Sequence, residues 1–574
     1  GLQNRSKNSS MRKDRSSRDV ERDVGIFDYA TPDVAGFGGA LKVTPADFQV
    51  NELRASGEEV SLDSSPLPED AGSEGSHVRF VLQKERLDTL GALAELGSLL
   101  GVPTRSFSVA GLKDYRAVTT QEVVARDVTP EAVAACAPPP CLRLGRAWPT
   151  ATKLRLGGCG GNRFRIVVRG VAGGGRRIDK ALRALKRRGF INYFGLQRFG
   201  SGASVNHEVG LACLLRRYDD AVCKALSPPA GGRTSSAELE AHEAWAVGRD
   251  ARSALRLMPR SRHLQRALLA RLAGEATDGG GAGAGRARRP NGWSDLTSDA
   301  CRDAVLSLPL PHRRLLAHAY FSRLWNIAAS ERLRRYGVGP AREGELVWLR
   351  PADLPPGCEC DGCAQAAAGG GGPHAYERGR RRRRSVHIVS AAEGAAEVFA
   401  AKQVVLPLAG SRTLFPRDEV GSLLRRLLCY DGVDPDGGEL EVSSDKEQPP
   451  LPLLGSYRRL LLRPRRMSWE LLQAKAAPPP PTACVEGGAS SERQRCRGHG
   501  DCSSHGEASP SSEGQRMEAA ATVGMLDASA EGEATCDVAV QFDLPPGAYA
   551  TMALREVMKT QPPPARLRHI RFHP

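Results

Sequence analysis

The run Ala110-Gly-Leu-Lys-Asp-Tyr-Arg-Ala-Val-Thr-Thr120, followed by Gln121, holds the residues best suited to chemistry. One carboxylate, Asp114, sits in a glycine-entered turn between Lys113 and Arg116, just after an apolar run, Phe107 to Ala110, that reads as a strand. Neighbouring positive charge favours the ionised form of a carboxylate, which suits Asp114 to act as a nucleophile or an electrostatic partner. A solvated Lys-Asp turn has the same composition, and the turn alone does not separate the two readings.

A second segment adds weight. Ile178, Leu182 and Leu185 fall at helical spacing while Lys180, Lys186, Arg187 and Arg188 take other positions, so an amphipathic helix with a basic side is expected, stopped by Gly189. Phe190-Ile-Asn-Tyr-Phe-Gly-Leu-Gln-Arg-Phe-Gly200 then reads as an aromatic strand, with Asn192 and Gln197 as amide donors and Arg198 as a phosphate-capable cation. Aromatics mixed with amide and basic residues suit a base that is stacked, hydrogen-bonded and held by its backbone. A half-buried edge strand is the other reading.

On these two blocks the chain resembles the TruD family of RNA pseudouridine synthases. The family pattern Ala-Gly-x-Lys-Asp-x-x-Ala-x-Thr-x-Gln is met by Ala110 to Gln121, and Asn-Tyr-Phe-Gly-x-Gln-Arg-Phe-Gly by Asn192 to Gly200. Further blocks follow in family order: Phe48 to Glu52 after Pro45, Gly161 to Phe164, Ser322 to Asn326, Val405 to Leu408, Gly455 to Arg458, and Leu544 to Thr551 running into Leu554 to Glu556. The resemblance implies a pseudouridine synthase of eukaryotic type, an isomerase that needs no cofactor and no metal. It implies Asp114 as catalytic nucleophile, and substrate contacts from Phe48, Lys113, Asn192, Phe194 and Arg198. RNA is the implied partner, tRNA foremost and other RNAs including mRNA besides, with no obligate protein partner and no membrane. Two departures bear on target choice: Tyr115 stands where the family often has a basic residue, and Gly157-Gly-Cys-Gly160 replaces the segment before Gly161. A rival reading is an RNA-binding or chaperone protein that uses the same cleft without turnover.

The fold expected to position these residues is α+β: a pseudouridine synthase core with a mixed, largely antiparallel sheet, plus an α/β insertion domain of TruD type. Residues 1–35 are polar and aperiodic and read as a disordered tail. The catalytic domain is expected over 36–207 and again over 453–574, with the insertion domain at 208–452. His77 to Gln83 reads as a strand, followed by a helix capped by Asp88 or Thr89 and ended by Gly101 and Pro103. Gly161 to Arg169 alternates Phe164, Ile166 and Val168 with Arg163, Arg165 and Arg169, giving a strand with an apolar face and a basic face that would serve as a phosphate track. Leu315 to Tyr336 reads as a core helix of the insertion domain, with structural roles for Trp325 and Asn326. Val538, Val540, Phe542 and Leu544 form a strand expected to pair, in one sheet, with the segment Ser456 to Pro464.

Composition sets the bounds. The 574 residues carry 81 Lys and Arg against 65 Asp and Glu, a net charge of +16 that points to a polyanionic partner. Segments 54–76, 225–300, 352–384 and 476–535 are rich in Gly, Ala, Ser, Pro and Arg and read as loops or disordered insertions. Fourteen cysteines are too sparse for a disulfide scaffold, and no apolar run of membrane-spanning length occurs, so a reducing compartment, nucleus or cytoplasm, is expected. Cys358, Cys360, Cys363 and His374, and the cluster Cys496, His499, Cys502 and His505, offer zinc-capable side chains. Neither set has a standard finger spacing, and no metal is expected at either.

Overall fold

The computed structural model describes residues 17–62, 75–200, 206–228, 235–259, 262–274, 298–349, 385–410, 413–435, 453, 455–472 and 536–559. Both cysteine–histidine clusters and the segments 352–384 and 476–535 lie outside those residues. Among the described residues, no group of metal-ligating side chains is arranged to hold an ion, and no helix is long and apolar enough to cross a membrane.

The larger sheet of the structure is mixed. Its strands are β1 (Phe48–Leu53), β2 (His77–Glu85), β3 (Phe107–Val109), β4 (Val118–Arg126), β5 (Leu142–Thr150) and β6 (Gly161–Val171). Two short strands, β7 (Phe190–Ile191) and β12 (Leu461–Leu462), pair with each other, and the far end of the chain returns β13 (Arg465–Leu472) and β14 (Cys536–Leu544). The order is β13-β14-β6-β1-β4-β2-β5, with every pairing antiparallel except β1 with β4. β4 is buried along nearly its whole length, as its Val and Thr content suits a central strand. β1 pairs with its start, at Val118 to Thr120, and β3 with its later part, at Val123 to Ala125. The loop joining β3 to β4, with Asp114 in it, therefore fills the gap between β1 and β3 on one side of the central strand.

A second sheet runs β11-β10-β8-β9, where β8 is Leu346–Leu349, β9 Ser385–Ile388, β10 Val404–Leu408 and β11 Ser456–Arg459. This corrects one expectation. Ser456–Arg459 joins this second sheet through β10 and does not pair with Val538 to Leu544; Arg465–Leu472 does that instead. Ser456 to Arg459 is half-buried without alternation and fits either sheet, and the choice falls to tertiary contact.

Two stretches read as unstructured are packed. In the tail, the helix Ser17–Asp23 is followed by buried Val24, Ile26, Ala30 and Val34. The amides of Ala30 and Thr31 donate to the Glu556 carboxylate at 2.9 and 2.8 Å. The apolar residues have no period because an extended strap buries them against partners more than five hundred residues away. Within 225–300, the helices Ser236–Gly248, Ala251–Leu257 and His263–Leu272 bury Ala241, Trp245, Ala254, Leu268 and Leu269. Alanine-rich helices bury little area per residue, which is why composition understates them.

The helix Leu310–Tyr336 buries Trp325 and Asn326, as expected of structural residues. Asp88 caps the helix Thr89–Leu100 by accepting from the Gly91 amide at 2.8 Å, and Gly101 ends it at φ 66°. The helix Gly174–Arg188 lays Ile178, Leu182 and Leu185 on the core, shared with Phe164, Ile166, Val540 and Phe542. The aromatic strand expected over Phe190 to Gly200 is shorter: regular pairing ends at Ile191, and Leu196–Arg198 forms a turn of 3-10 helix.

Candidate active site

The loop that carries Asp114 is fixed from beneath. Lys113, next to Asp114 in sequence, turns inward, where its Nζ donates to Glu52 Oε2 and to Asn162 Oδ1, each at 2.8 Å. Both members of this ion pair are almost fully buried. Burial pushes the Glu52 carboxyl above its ordinary range while the Lys113 ammonium pulls it back. The Lys113 amide donates to Thr89 Oγ1 at 2.9 Å, Thr89 Oγ1 to Gln121 Oε1 at 3.2 Å, and Gln121 Nε2 to the Gly111 carbonyl at 3.1 Å. Lys84, on β2, donates to the carbonyls of Leu87 at 2.6 Å, Asp114 at 2.9 Å and Lys113 at 3.4 Å. Burial lowers the Lys84 ammonium to about 8, against the pull of Asp114 and Asp88.

On the outer side, Asp114 faces different groups. Lys42 Nζ donates to its Oδ2 at 3.1 Å and Gln197 Nε2 to its Oδ1 at 3.0 Å. The carboxylate keeps 26% of its side-chain surface open, so a ligand can reach it. The cation on the Asp114 carboxylate is Lys42, while the ammonium of Lys113, expected as a substrate contact, is turned to Glu52 and Asn162. Lys42 in turn lies over the Phe48 ring, 4.1 Å from its centroid. Phe48 is buried and meets Phe164 edge to face at 6.2 Å, so it underlies the Asp114 pair from the core side. Leu112 and Tyr115, flanking the pair, are exposed.

A second cluster follows from the segment bearing Gln197. Phe194 is buried, with its amide donating to Asn326 Oδ1 at 2.8 Å. Its ring meets Trp325 at 5.7 Å and Tyr549 at 6.3 Å, edge to face, while the Arg458 guanidinium sits 4.0 Å from its centroid and that of Arg198 5.6 Å away. Arg458 donates to Asn192 Oδ1 at 2.7 Å, the Asn192 carbonyl at 2.7 Å and the Gly547 carbonyl at 2.8 Å. Burial pulls this guanidinium down to about 9, leaving it charged near neutrality. Asn192 Nδ2 donates to the Arg459 carbonyl at 3.1 Å. Asn192 therefore holds Arg458, and a base could stack on the face of Phe194 that Arg458 covers only if the guanidinium moved.

The site thus joins Asp114 with Lys42, Gln197 and Phe48, and beside them Phe194, Asn192 and Arg198; Lys113 points the other way. Sequence reasoning missed Lys42, Lys84 and Arg458 as site residues and read Gln197 only as an amide donor. The signal available for Lys42 was its place just ahead of Pro45 and the matching block Phe48 to Glu52.

The basic face of β6 is not a phosphate track. Arg163 pairs with Asp543 and Glu59 at 2.8 Å each, Arg165 with Glu59 at 2.5 Å, and Arg169 with Asp47 and Asp537 at 2.5 and 2.7 Å. The acids come from neighbouring strands and from residues 47 and 59, and they neutralise the arginines within the sheet.

A family model for "tRNA pseudouridine synthase D (TruD)" matches residues 23–477. The pseudouridylate synthase 7 homolog of Mus musculus is 28% identical over 490 residues, covering 85% of this chain and 59% of that protein. The multisubstrate pseudouridine synthase 7 of Schizosaccharomyces pombe is 29% identical over 498 residues, covering 85% and 62%. The tRNA pseudouridine synthase D of a Geobacter species is 35% identical over 306 residues, covering 53% and 67%. The chain spans about three-fifths of the length of the eukaryotic relatives it matches. The crystal structure of a putative tRNA pseudouridine synthase D from Methanosarcina mazei superposes with a TM-score of 0.54 at 22% identity, covering 95% of this chain and 98% of the other, and so shares the fold.

Proposed function

The chain belongs to the TruD family of tRNA pseudouridine synthases, and on that premise we propose that it isomerises uridines in RNA to pseudouridine, with tRNA as the main substrate class and Asp114 as the attacking group. The observation that carries this reading is the open Asp114 carboxylate held between Lys42 Nζ and Gln197 Nε2 on a rigid loop. The reaction breaks the bond between uracil N1 and the sugar C1′, turns the base, and joins C5 to C1′; the C5 proton is lost and N1 gains one, so nothing is oxidised or hydrolysed. Such chemistry needs an anionic side chain at the sugar and a pocket for the freed base. Asp114 is the anion. Lys42 and Gln197 hold its oxygens in place without blocking them, and the Lys84 and Gln121 contacts keep the backbone of its loop from shifting. The target base must leave its stack at a cost of about a few kcal/mol, and an aromatic face recovers part of it. Phe194, with Asn192 and Arg198 beside it, is the proposed face, reached by displacement of Arg458, and Phe48 lines the same side through Lys42.

The test is to incubate the protein with total RNA and map pseudouridines against an Asp114→Asn control. New pseudouridines made by the wild type and absent with the variant are expected. Equal maps for both proteins would remove Asp114 from the reaction, and no new pseudouridine with the wild type on any RNA would remove the activity.

A further inference from the structure

The helix Gly174–Arg188 presents to solvent the residues its core packing leaves over. Its buried residues are Ile178, Ala181, Leu182, Ala184 and Leu185. Arg176, Lys180, Arg183 and Arg187 are exposed and follow one another at i, i+4, i+7 and i+11, which places them on one stripe opposite the buried face. The stripe spans about 16 Å at the helical rise. Of the four, only Arg183 has a carboxylate partner among the described residues, Asp179 at 2.5 Å and one turn away. Both side chains of that pair are solvent-exposed and screened by water and salt, so a phosphate can displace it at little cost. The arginines of β6 are the contrast within the same core, since each is matched by acids from β14 or from residues 47 and 59.

The position of the helix is equally informative. It packs against β13, where Lys186 Nζ lies 5.8 Å from the Trp469 ring centroid. β13 is the edge of the sheet, three strands from β1 and four from β4. At a strand spacing of about 4.7–4.9 Å this edge lies roughly 14–20 Å across the sheet from the strands that frame the Asp114 loop, and the stripe faces away from the sheet. A group bound there is not the target nucleotide.

We propose that this stripe is a docking surface for the phosphate backbone of RNA, gripping a part of the substrate away from the modified uridine. The proposal rests on the reading of RNA as substrate. It makes the protein a reader of an RNA body at least one helical stripe removed from its target, rather than of an isolated nucleotide. RNA fits the surface better than a membrane does, because the face is basic with Trp469 at its margin and shows no row of exposed apolar side chains to enter a bilayer.

The experiment measures the affinity of the full chain for a folded tRNA as a function of salt, for the wild type, Asp114→Asn, and the fourfold variant Arg176→Gln/Lys180→Gln/Arg183→Gln/Arg187→Gln. Each lost phosphate contact lowers the slope of log affinity against log salt by about 0.7–0.9. The fourfold variant is expected to lose about 3 in that slope and at least about tenfold in affinity. Asp114→Asn should keep the wild-type slope. An unchanged slope in a folded fourfold variant overturns the proposal, as does an unchanged slope coupled to lost binding of anionic phospholipid vesicles, which would assign the face to a membrane. Should the fourfold variant not fold, Arg176→Gln/Lys180→Gln and Arg183→Gln/Arg187→Gln carry the same test with half the change. A wild type whose binding slope depends on the stripe, yet which forms no pseudouridine, would sink the catalytic reading and leave the docking surface standing.

Discussion

Two lysine–carboxylate pairs lie on opposite sides of one loop, and they are built to different ends. Lys113 and Glu52 meet at 2.8 Å with side chains 4% and 3% exposed, and Asn162 takes a further proton of the ammonium. Lys42 and Asp114 meet at 3.1 Å with 16% and 26% exposed, and an exposed glutamine completes the set. The inner pair has no room for a ligand and anchors the loop to β1 and β6. The outer pair is longer, more exposed and reachable. Adjacent residues of the chain, Lys113 and Asp114, thus take an inner, anchoring place and an outer, open one, and the lesson is that charge next to a carboxylate in sequence is no guide to the charge next to it in space.

The largest effect expected is on the outer pair. Asp114→Asn should abolish pseudouridine formation and leave RNA affinity within about tenfold, since the amide is isosteric but not nucleophilic. Turnover and filter binding check it, and residual turnover above about a tenth of wild type would falsify the assignment. The melting temperature should barely move.

The inner pair should behave the other way. Lys113→Met leaves Glu52 charged and buried, and is expected to cost about 3–5 kcal/mol of stability. Adding Glu52→Gln should return much of it, because the cost lies in the unpaired charge. Denaturant titration of the single and double variants decides this. Equal stability of Lys113→Met and wild type would erase the distinction between the two sides of the loop.

Phe194→Ala should lower single-turnover rates by about 1–3 kcal/mol in transition-state terms if a base stacks there. A folded variant with unchanged rates would leave Phe194 as a core residue only, in keeping with its burial beneath Arg458.

The smallest effect concerns Lys84, whose ammonium is held down to about 8 from an ordinary 10.5 by burial. A depressed folded value means that the contribution to stability is present above the unfolded value and is lost as pH falls through the folded one. The melting-temperature advantage of wild type over Lys84→Met should therefore be smaller at pH 7 than at pH 10, rising between about 8 and 10.5. A flat or opposite trend would show that Lys84 is not held as a buried charge beneath Asp114.

Local grammar carried much of the fold. The cap at Asp88, the stop at Gly189, and the alternation of Phe164 to Val168 and of Val538 to Leu544 each predict an element that the structure contains. What failed was whatever needed a partner from afar. The strap of residues 24–34 shows no period until Glu556 meets its amides, and the β6 arginines look like a free basic face until Asp47, Glu59, Asp537 and Asp543 arrive beside them. The alanine-rich helices within 225–300 were hidden by a composition that resembles a linker.

At the site the same division holds. The sequence by itself determined that a lone carboxylate, Asp114, stands in a glycine-entered turn after a strand, and that an amide and aromatic segment, Asn192 to Gly200, accompanies it. These follow from residue type and spacing, which act over a few residues. Only the tertiary structure decided that Lys42 and Gln197, not Lys113, hold the carboxylate, that Arg458 lies on Phe194, and that Lys84 fixes the loop from below. Lys113 is turned away from Asp114 because Glu52 of β1 and Asn162 of β6 take its ammonium on the inner side of the loop. Long flexible cations then pair with whichever carboxylate or carbonyl the packing of distant strands brings within reach, and no local pattern records that choice.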